Sequence, residues 1–186
     1  LVMDVTNKSI VVQSLEQNEV DFALVSVLPD KLQVERVELM PNKLFYVSDY
    51  RRDLPKTIIK RNLFEKIPLI YREPGSATRN AMESFIDMNH YTVIKKMELT
   101  SNEAVKQAVI SGLGCSIMPL IGIKNAIRNQ DLKIVPVKGL PIITNWNLIW
   151  LKSKNLSPVA VAFLDYLDKN KDRITAEHFD WIHDFV

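Results

Sequence analysis

The sequence predicts an α/β protein with a largely parallel sheet. Short apolar runs rich in β-branched residues alternate with amphipathic stretches, as in consecutive β-α-β units. The composition, with 47% hydrophobic and 25% charged residues, is that of a globular protein that buries a core. A length of 186 residues allows either one core or two small lobes.

The first β-α-β unit is predicted to be complete by residue 27. Its helix carries Val11 and Leu15 on one face. Two extended segments without a helix between them follow, and Pro41 with Asn42 supplies the turn that separates them. The predicted elements of this part are the strand Leu1–Val5, the helix Ile10–Glu19, the strand Phe22–Val27, and the extended segments Val34–Leu39 and Leu44–Val47.

A second α/β block of similar size is predicted next. Its elements are a helix near Ile58–Phe64, the strand Pro68–Tyr71, the helix Ala77–Asp87, the strand Lys96–Leu99, the helix Asn102–Ser111 and the strand Cys115–Met118. After this block the sequence predicts the helix Ile121–Arg128, the extended segment Lys133–Val137 and the strand Trp146–Leu151.

A final helix is predicted to begin at Pro158, with the Ser157 hydroxyl as its N-cap. An apolar stripe follows at helical spacing and predicts packing against the core. It consists of Val159, Ala162, Phe163, Tyr166 and Leu167. The tail adds apolar residues that need burial against this chain or a partner, namely Phe179, Trp181, Ile182 and Phe185.

Charge and cysteine content disfavour several function classes. The chain has 24 Lys and Arg against 22 Asp and Glu, without a block of like charge, and the basic stretch Lys56–Arg61 is interpreted as a solvated helix face. Nucleic-acid contact by this chain is therefore disfavoured. Cys115 is the single cysteine, so no internal disulfide forms and a reducing compartment is the simpler assumption. No apolar run approaches the ~18 residues of a membrane span.

The segment Tyr71–Arg79, YREPGSATR, joins a predicted strand to a predicted helix. Gly75 permits a sharp turn and Ser76 has the side chain of a helix cap. The segment is either a plain strand-to-helix turn or an anion site, because the first-turn amides of such a helix bind anions without a charged side chain.

The segment Leu99–Pro119, LTSNEAVKQAVISGLGCSIMP, repeats this arrangement. Thr100 and Glu103 have the spacing of a capping box, and two glycines, Gly112 and Gly114, end the helix. Ligands of open parallel sheets bind beyond the carboxyl ends of the strands, and there Thr100, Ser101 and Asn102 would lie beside the Ser76 turn.

REPGSATR and TSNEAVKQAVISGLGCSIMP closely resemble two segments of the effector-binding domain of LysR-type transcriptional regulators. The resemblance continues in the family's order and spacing through NEVDFALVSV, KLFYVSD and LIWLKSKNLSPVAVAFLDYL. Two long motifs in register make it specific.

The resemblance implies a fold like that of type II periplasmic binding proteins, with two Rossmann-like α/β lobes joined by two crossing strands and the effector in the cleft. Lobe one would comprise residues 1–47 and 150–186, and lobe two residues 48–149. The implied hinge residues are Val47, Ser48, Ile149 and Trp150. Family members normally carry an additional strand, loop and helix before LVMDV, and a DNA-binding domain, that this sequence is expected to lack.

The family's effector sites use hydroxyl and amide groups, which here nominates Thr6, Asn7, Ser48, Ser76, Thr100 and Ser101. Thr6, Asn7 and Thr100 are equally interpretable as helix caps alone. The resemblance implies a cytoplasmic homodimer or homotetramer that binds a small organic or inorganic anion, uses no cofactor, and reaches DNA only through a separate N-terminal domain. The effector would act allosterically, by favouring one arrangement of the lobes.

Two other function classes are weighed against a regulator. An extracytoplasmic solute-binding protein has the same fold, but this class is disfavoured because the sequences of the two motifs resemble those of regulators. An enzyme needs convergent catalytic groups, yet the histidines, at 90, 178 and 183, fall outside the predicted cleft segments. A thiol switch is disfavoured too, because peroxide-sensing members carry their cysteine where this chain has Ala77, and Cys115 begins a predicted buried strand.

Overall fold

A computed structural model describes residues 2–54 and 63–185. The chain divides into two compact units, Leu1–Asn42 with Thr144–Val186, and Lys43–Ile143. The basic stretch Lys56–Arg61 and most of the helix predicted near Ile58–Phe64 lie outside the described residues.

The first unit begins with helix α1, Lys8–Glu16, which Asn7 caps: the Ile10 N–H donates to its Oδ1 at 3.2 Å. Strand β1, Ala23–Val25, pairs antiparallel with strand β7, Ile142–Leu151. Helix α6, Pro158–Phe179, and a 3-10 turn, Asp180–Asp184, complete the unit. Its core is small and consists of Leu15, Ala23, Val25 and Ile149.

The second unit contains most of the helices and strands. Strand β2, Val34–Asp49, enters it from the first unit. The elements that follow are helix α2, Leu63–Lys66, strand β3, Leu69–Arg72, helix α3, Ala77–Met88, strand β4, Lys95–Leu99, helix α4, Asn102–Ile110, strand β5, Ser116–Pro119, helix α5, Leu120–Arg128, and strand β6, Leu132–Ile134. Their core includes Tyr46, Leu69, Met82, Phe85 and Ile117.

Fewer strands pair in parallel than the sequence predicts. Strand β3 pairs in parallel with β4, and Leu69 forms a parallel bridge with Cys115. The pairings of β1 with β7, of β2 with β5 and of β2 with β6 are antiparallel. The β-α-β pattern therefore predicts the alternation of helices and strands in the second unit, but it does not predict that the long strands β2 and β7 pair antiparallel with short strands.

The predicted strand Leu1–Val5 is wrong over its described part. Residues 2–7 have no regular secondary structure, and the side chains of Val2, Met3 and Val5 are exposed. A β-branched run becomes a strand only when a neighbouring strand takes up its backbone hydrogen bonds. None of the described strands pairs with these residues.

The predicted turn at Pro41 and Asn42 is also wrong, because both residues lie inside strand β2. Strands β5 and β6 pair with residues 44–49 of β2, beyond the proline, so its missing N–H costs neither ladder a hydrogen bond. Asn42 is buried, and its Nδ2 donates to Thr144 Oγ1 at 3.0 Å. Its amide thus serves a strand contact and no turn.

Helix α6 begins as predicted, with the Ala160 N–H donating to Ser157 Oγ at 3.2 Å. Its predicted core stripe is wrong: Val159 is 80% exposed, Tyr166 56% and Phe163 43%. Only Ala160 of the helix is buried, although the Phe163 ring packs against Phe22 at 5.7 Å. The spacing of the apolar residues predicts an apolar face on the helix correctly, but it does not predict which residues pack against that face. No helix in the described ranges is long and apolar enough to cross a membrane.

Candidate functional site

Two polar turns follow the ends of neighbouring parallel strands in the second unit. Arg72, the last residue of β3, is paired in register with Leu99, the last residue of β4. The Glu73 N–H continues the pairing and donates to the Leu99 carbonyl at 3.1 Å. The chain turns into helix α3 after β3 and into helix α4 after β4. The two helices therefore begin at the same edge of the sheet.

The first turn contains Gly75 and Ser76. Gly75 has φ of +85°, a conformation that glycine adopts without the Cβ clash of other residues. Ser76 is 2% exposed and caps α3, its Oγ accepting from the Arg79 N–H at 3.5 Å. The cap predicted for Ser76 is confirmed.

The second turn differs from the prediction by one residue. Ser101 caps α4, since its Oγ accepts from the Ala104 N–H at 3.0 Å, whereas Thr100 precedes the cap and is exposed. The Thr100–Glu103 capping box is wrong, because the Glu103 carboxylate contacts Lys106 and Gln107 instead. Two hydroxyls stand side by side, and only the extended backbone of Ser101 decides which one caps.

Asn102, the first residue of α4, adds an unsatisfied group to this turn. Its Oδ1 is buried and has no hydrogen-bond partner within the described part of the chain. A buried acceptor without a partner costs about 1 to 3 kcal/mol. The turn therefore combines hydroxyl groups that donate with a carbonyl that accepts.

Both guanidinium groups of the first motif are engaged by carboxylates. Arg72 donates from Nε and Nη2 to the two carboxylate oxygens of Glu73, at 2.7 and 2.9 Å. Arg79 forms ion pairs of 2.7 Å with Glu83 and with Glu98. Positive charge therefore lies near the two turns but is already balanced locally.

The remaining predicted residues lie elsewhere. Thr6 is exposed and Asn7 caps α1, both in the first unit. Ser48 is fully buried in β2. The structure thus places Ser76 and the Thr100–Ser101 pair at one sheet edge of the second unit.

Buried polar groups surround the only cysteine. Burial raises the pKa of the Cys115 thiol, and the hydroxyls of Tyr46 and Ser48 lie beside it. Burial also raises the pKa of the Tyr46 phenol, with the Cys115 neighbour as a further cause. The Tyr46 and Ser48 oxygens form no hydrogen bond to nitrogen or oxygen within residues 2–54 and 63–185. Cys115 is therefore a core residue with little thiolate character.

The predicted hinge residues lie within regular strands. Val47 is fully buried in β2, where it is in register with Ser116 of β5 and Ile134 of β6. Ile149 is fully buried in β7 opposite Ala23, and Trp150 contacts Phe22 edge to face at 5.8 Å. The unit boundaries fall after Asn42 and after Ile143.

Residues 1–171 match the family model described as the LysR substrate binding domain. The chain belongs to this LysR family. It is 38% identical over 167 residues to the RuBisCO operon transcriptional regulator of Allochromatium vinosum, an alignment that covers 89% of this chain and 55% of that protein. It is 34% identical over 176 residues to the transcriptional activator CmpR of Synechocystis, covering 93% of this chain and 57% of CmpR. The LysR-family chain thus spans little more than half the length of these relatives.

A solved LysR-family structure is similar over nearly the whole chain. It is the regulatory domain of CcmR from Synechocystis PCC6803 in complex with 2-PG, with a TM-score of 0.84 and 29% identity, covering 91% of this chain and 82% of that one. The sequence-based assignment to LysR-type effector-binding domains with a type II periplasmic-binding-protein-like fold is confirmed. The regulator class is favoured over the extracytoplasmic solute-binding protein.

One part of the site was missed by sequence reasoning. The ion pair between Arg79 and Glu98 connects helix α3 with strand β4, whereas the pair between Arg79 and Glu83 lies within α3. Only the four-residue spacing of Arg79 and Glu83 indicates an ion pair from the sequence. Glu98 could not be found from spacing, because it lies on β4 while Arg79 lies in helix α3, 19 residues earlier in the chain. Metal-binding clusters of three or more His, Cys, Asp or Glu residues are absent from the part of the chain that the structure describes.

Proposed function

We propose that this domain senses a small organic anion with the two turns that follow β3 and β4. The observation that carries the proposal is the placement of the Ser76 and Ser101 helix caps after strand ends held in register by Arg72 and Leu99. The similarity to a CcmR regulatory domain that binds 2-PG supports a small-molecule role for the same fold. We therefore take 2-PG as the first compound to test.

The chemistry of the turns fits an anion. The first-turn amides of α3 and α4 carry the positive end of each helix dipole, worth about 0.3 to 1 kcal/mol for a nearby anion. The hydroxyl of Thr100 is exposed and does not cap its helix, so it is available to a ligand. Since the Arg72 and Arg79 side chains are already paired with carboxylates, amide and hydroxyl groups would make the direct contacts.

The roles of the other nominated residues remain predictions. Thr6, Asn7 and Ser48 are proposed to contribute further polar groups to effector binding. Val47, Ser48, Ile149 and Trp150 are proposed as hinge positions.

The whole protein is proposed to be a cytoplasmic homodimer or homotetramer that binds DNA through a region outside this chain and regulates transcription. Its effector would act by binding one conformation of the sensing domain more tightly than another. The homologous regulators of RuBisCO operons and the activator CmpR support this assignment.

The direct test is the thermal midpoint of the chain with 2-PG, phosphate, sulfate and simple carboxylates. A ligand of the native state at 100 times its Kd stabilises it by about 2.7 kcal/mol, which raises the midpoint by several degrees. An uncharged compound of similar size serves as the control. If none of the anions raises the midpoint, an anionic effector is excluded.

Two matched substitutions locate the site, because the Ser101 hydroxyl caps α4 whereas the Thr100 hydroxyl does not. Thr100→Val removes a hydroxyl that caps nothing and should weaken 2-PG binding by about 1 to 3 kcal/mol with little change in stability. Ser101→Ala removes the cap and should lower the free energy of unfolding by about 1 kcal/mol. Isothermal titration and urea titration measure the two quantities. Unchanged affinity in both variants would place the ligand elsewhere.

A further inference from the structure

Arg79 lies where its charge is unfavourable for its own helix. It is the third residue of α3 and therefore stands in the first turn, beside the positive end of the helix dipole. Its side chain is 16% exposed, so the charge is also partly removed from water. A cation in such a place is retained only when other groups stabilise it.

Four groups surround the Arg79 guanidinium. Nε donates to Glu83 Oε1 at 2.7 Å, and Nη1 lies 2.7 Å from Glu98 Oε2. Nη1 also donates to the main-chain carbonyl of Arg72 at 3.1 Å. The guanidinium carbon lies 5.8 Å from the centre of the Tyr71 ring, a cation–π distance.

These contacts connect three elements at one sheet edge. Arg72 is the last residue of β3, Glu98 lies two residues before Thr100, and Arg79 belongs to the first turn of α3. Lys95 pairs with Glu98 as well and lies 5.3 Å from the centre of the Tyr71 ring, so two cations contact the same Oε2 of Glu98. The planar guanidinium suits this arrangement, since its donors point in fixed directions.

We infer that Arg79 is a positioning residue that sets the distance between the Ser76 turn and the Thr100–Ser101 turn. The inference rests on the proposed function of those turns. By holding the Arg72 carbonyl and the Glu98 carboxylate together, Arg79 fixes the end of β3 against β4, and thereby the relative positions of the hydroxyls and amides that follow. Arg79 itself does not contact the ligand.

The test compares Arg79→Gln, Arg79→Lys and Glu98→Gln with the control Arg173→Gln, which removes an exposed ion pair with Glu177 on α6. Arg79→Gln should raise the Kd for 2-PG about tenfold, Arg79→Lys and Glu98→Gln about threefold, and the control not at all. The Arg79→Gln, Glu98→Gln double variant should bind no more weakly than Arg79→Gln, because Glu98 acts through Arg79. Additive losses would overturn the proposed connection.

Backbone amide NMR shifts in the absence of ligand separate positioning from the identity of the effector. Arg79→Gln should displace the signals of Ser76, Thr78, Ser101 and Asn102, whereas Arg173→Gln should leave them in place. If Arg79→Gln displaces these signals but the wild-type chain does not bind 2-PG, the positioning role of Arg79 is supported and 2-PG is excluded as the effector. Unmoved signals, or displaced signals with an unchanged Kd for a bound anion, would overturn the inference. Arg79→Lys provides the same readouts if Arg79→Gln does not fold.

Discussion

Replacing Gly114 with alanine should destabilise the second unit through a steric clash. A Cβ on residue 114 would lie 2.5 Å from the Pro68 carbonyl oxygen and 3.1 Å from Ile70 Cγ1, well inside ordinary van der Waals contact. The same carbonyl accepts the Cys115 N–H at 2.9 Å, next to the parallel bridge between Leu69 and Cys115. The strand end can make room for the Cβ only by giving up this bond.

The expected cost is about 2 to 4 kcal/mol, from overpacking and one weakened hydrogen bond. Two other glycines provide controls. Gly112→Ala meets no atom within 4 Å but has φ of +75°, so it should cost only about 1 kcal/mol of backbone strain. Gly122→Ala, in the first turn of α5 with no atom within 4 Å, should gain about 0.5 kcal/mol.

Urea titration of the three variants measures these free energies of unfolding. The predicted order of stability is Gly122→Ala above wild type, then Gly112→Ala, then Gly114→Ala. If Gly114→Ala were as stable as Gly112→Ala, the close approach of the Pro68 carbonyl would not constrain residue 114, and the reasoning would be refuted.

Three further predictions follow from burial and charge. The Cys115 thiol, whose pKa is raised by burial, should react with a disulfide reagent at least about 100-fold more slowly in the native chain than in denaturant; equal rates would contradict its burial. Hydrogen bonds from Lys95 and Arg79 lower the pKa of Glu98, so its stabilisation is present above the unfolded pKa and is lost as pH falls through the folded one. The difference in thermal midpoint between wild type and Glu98→Gln should therefore shrink from pH 7 towards pH 3. Val159→Ser should change the free energy of unfolding, measured by urea titration, by less than about 0.5 kcal/mol, since the side chain is 80% exposed. A loss of stability typical of a core residue would show instead that Val159 packs against the core, as the sequence predicts.

The sequence predicts local structure well where a single residue type has a single physical use. Ser76 and Ser157 cap their helices as predicted, because a hydroxyl at the junction of an extended and a helical segment has an unpaired amide to bind. Thr100 shows the limit of this reasoning. Two neighbouring hydroxyls satisfied the same rule, and the choice of Ser101 depends on backbone angles that spacing does not encode.

Long-range features were harder to predict because they depend on which segments become neighbours. The local sequence at Pro41 and Asn42 predicts a turn, but strand β2 continues through both residues. Asn42 instead donates a hydrogen bond to Thr144, 102 residues away in the chain. Glu98 likewise reaches Arg79 only because β3 and β4 pair in parallel. The family resemblance supplied the architecture that periodicity alone could not.

Because helix α6 buries few side chains, it should unfold locally before the rest of the first unit. Its 22 residues bury one side chain, Ala160, so little apolar contact is lost when the helix separates from the rest of its unit. Local opening of such an element costs far less free energy than global unfolding. Proteases should accordingly cleave within α6 well before they reach Leu15 or Ile149, and the first unit would lose its carboxyl-terminal helix as a discrete step.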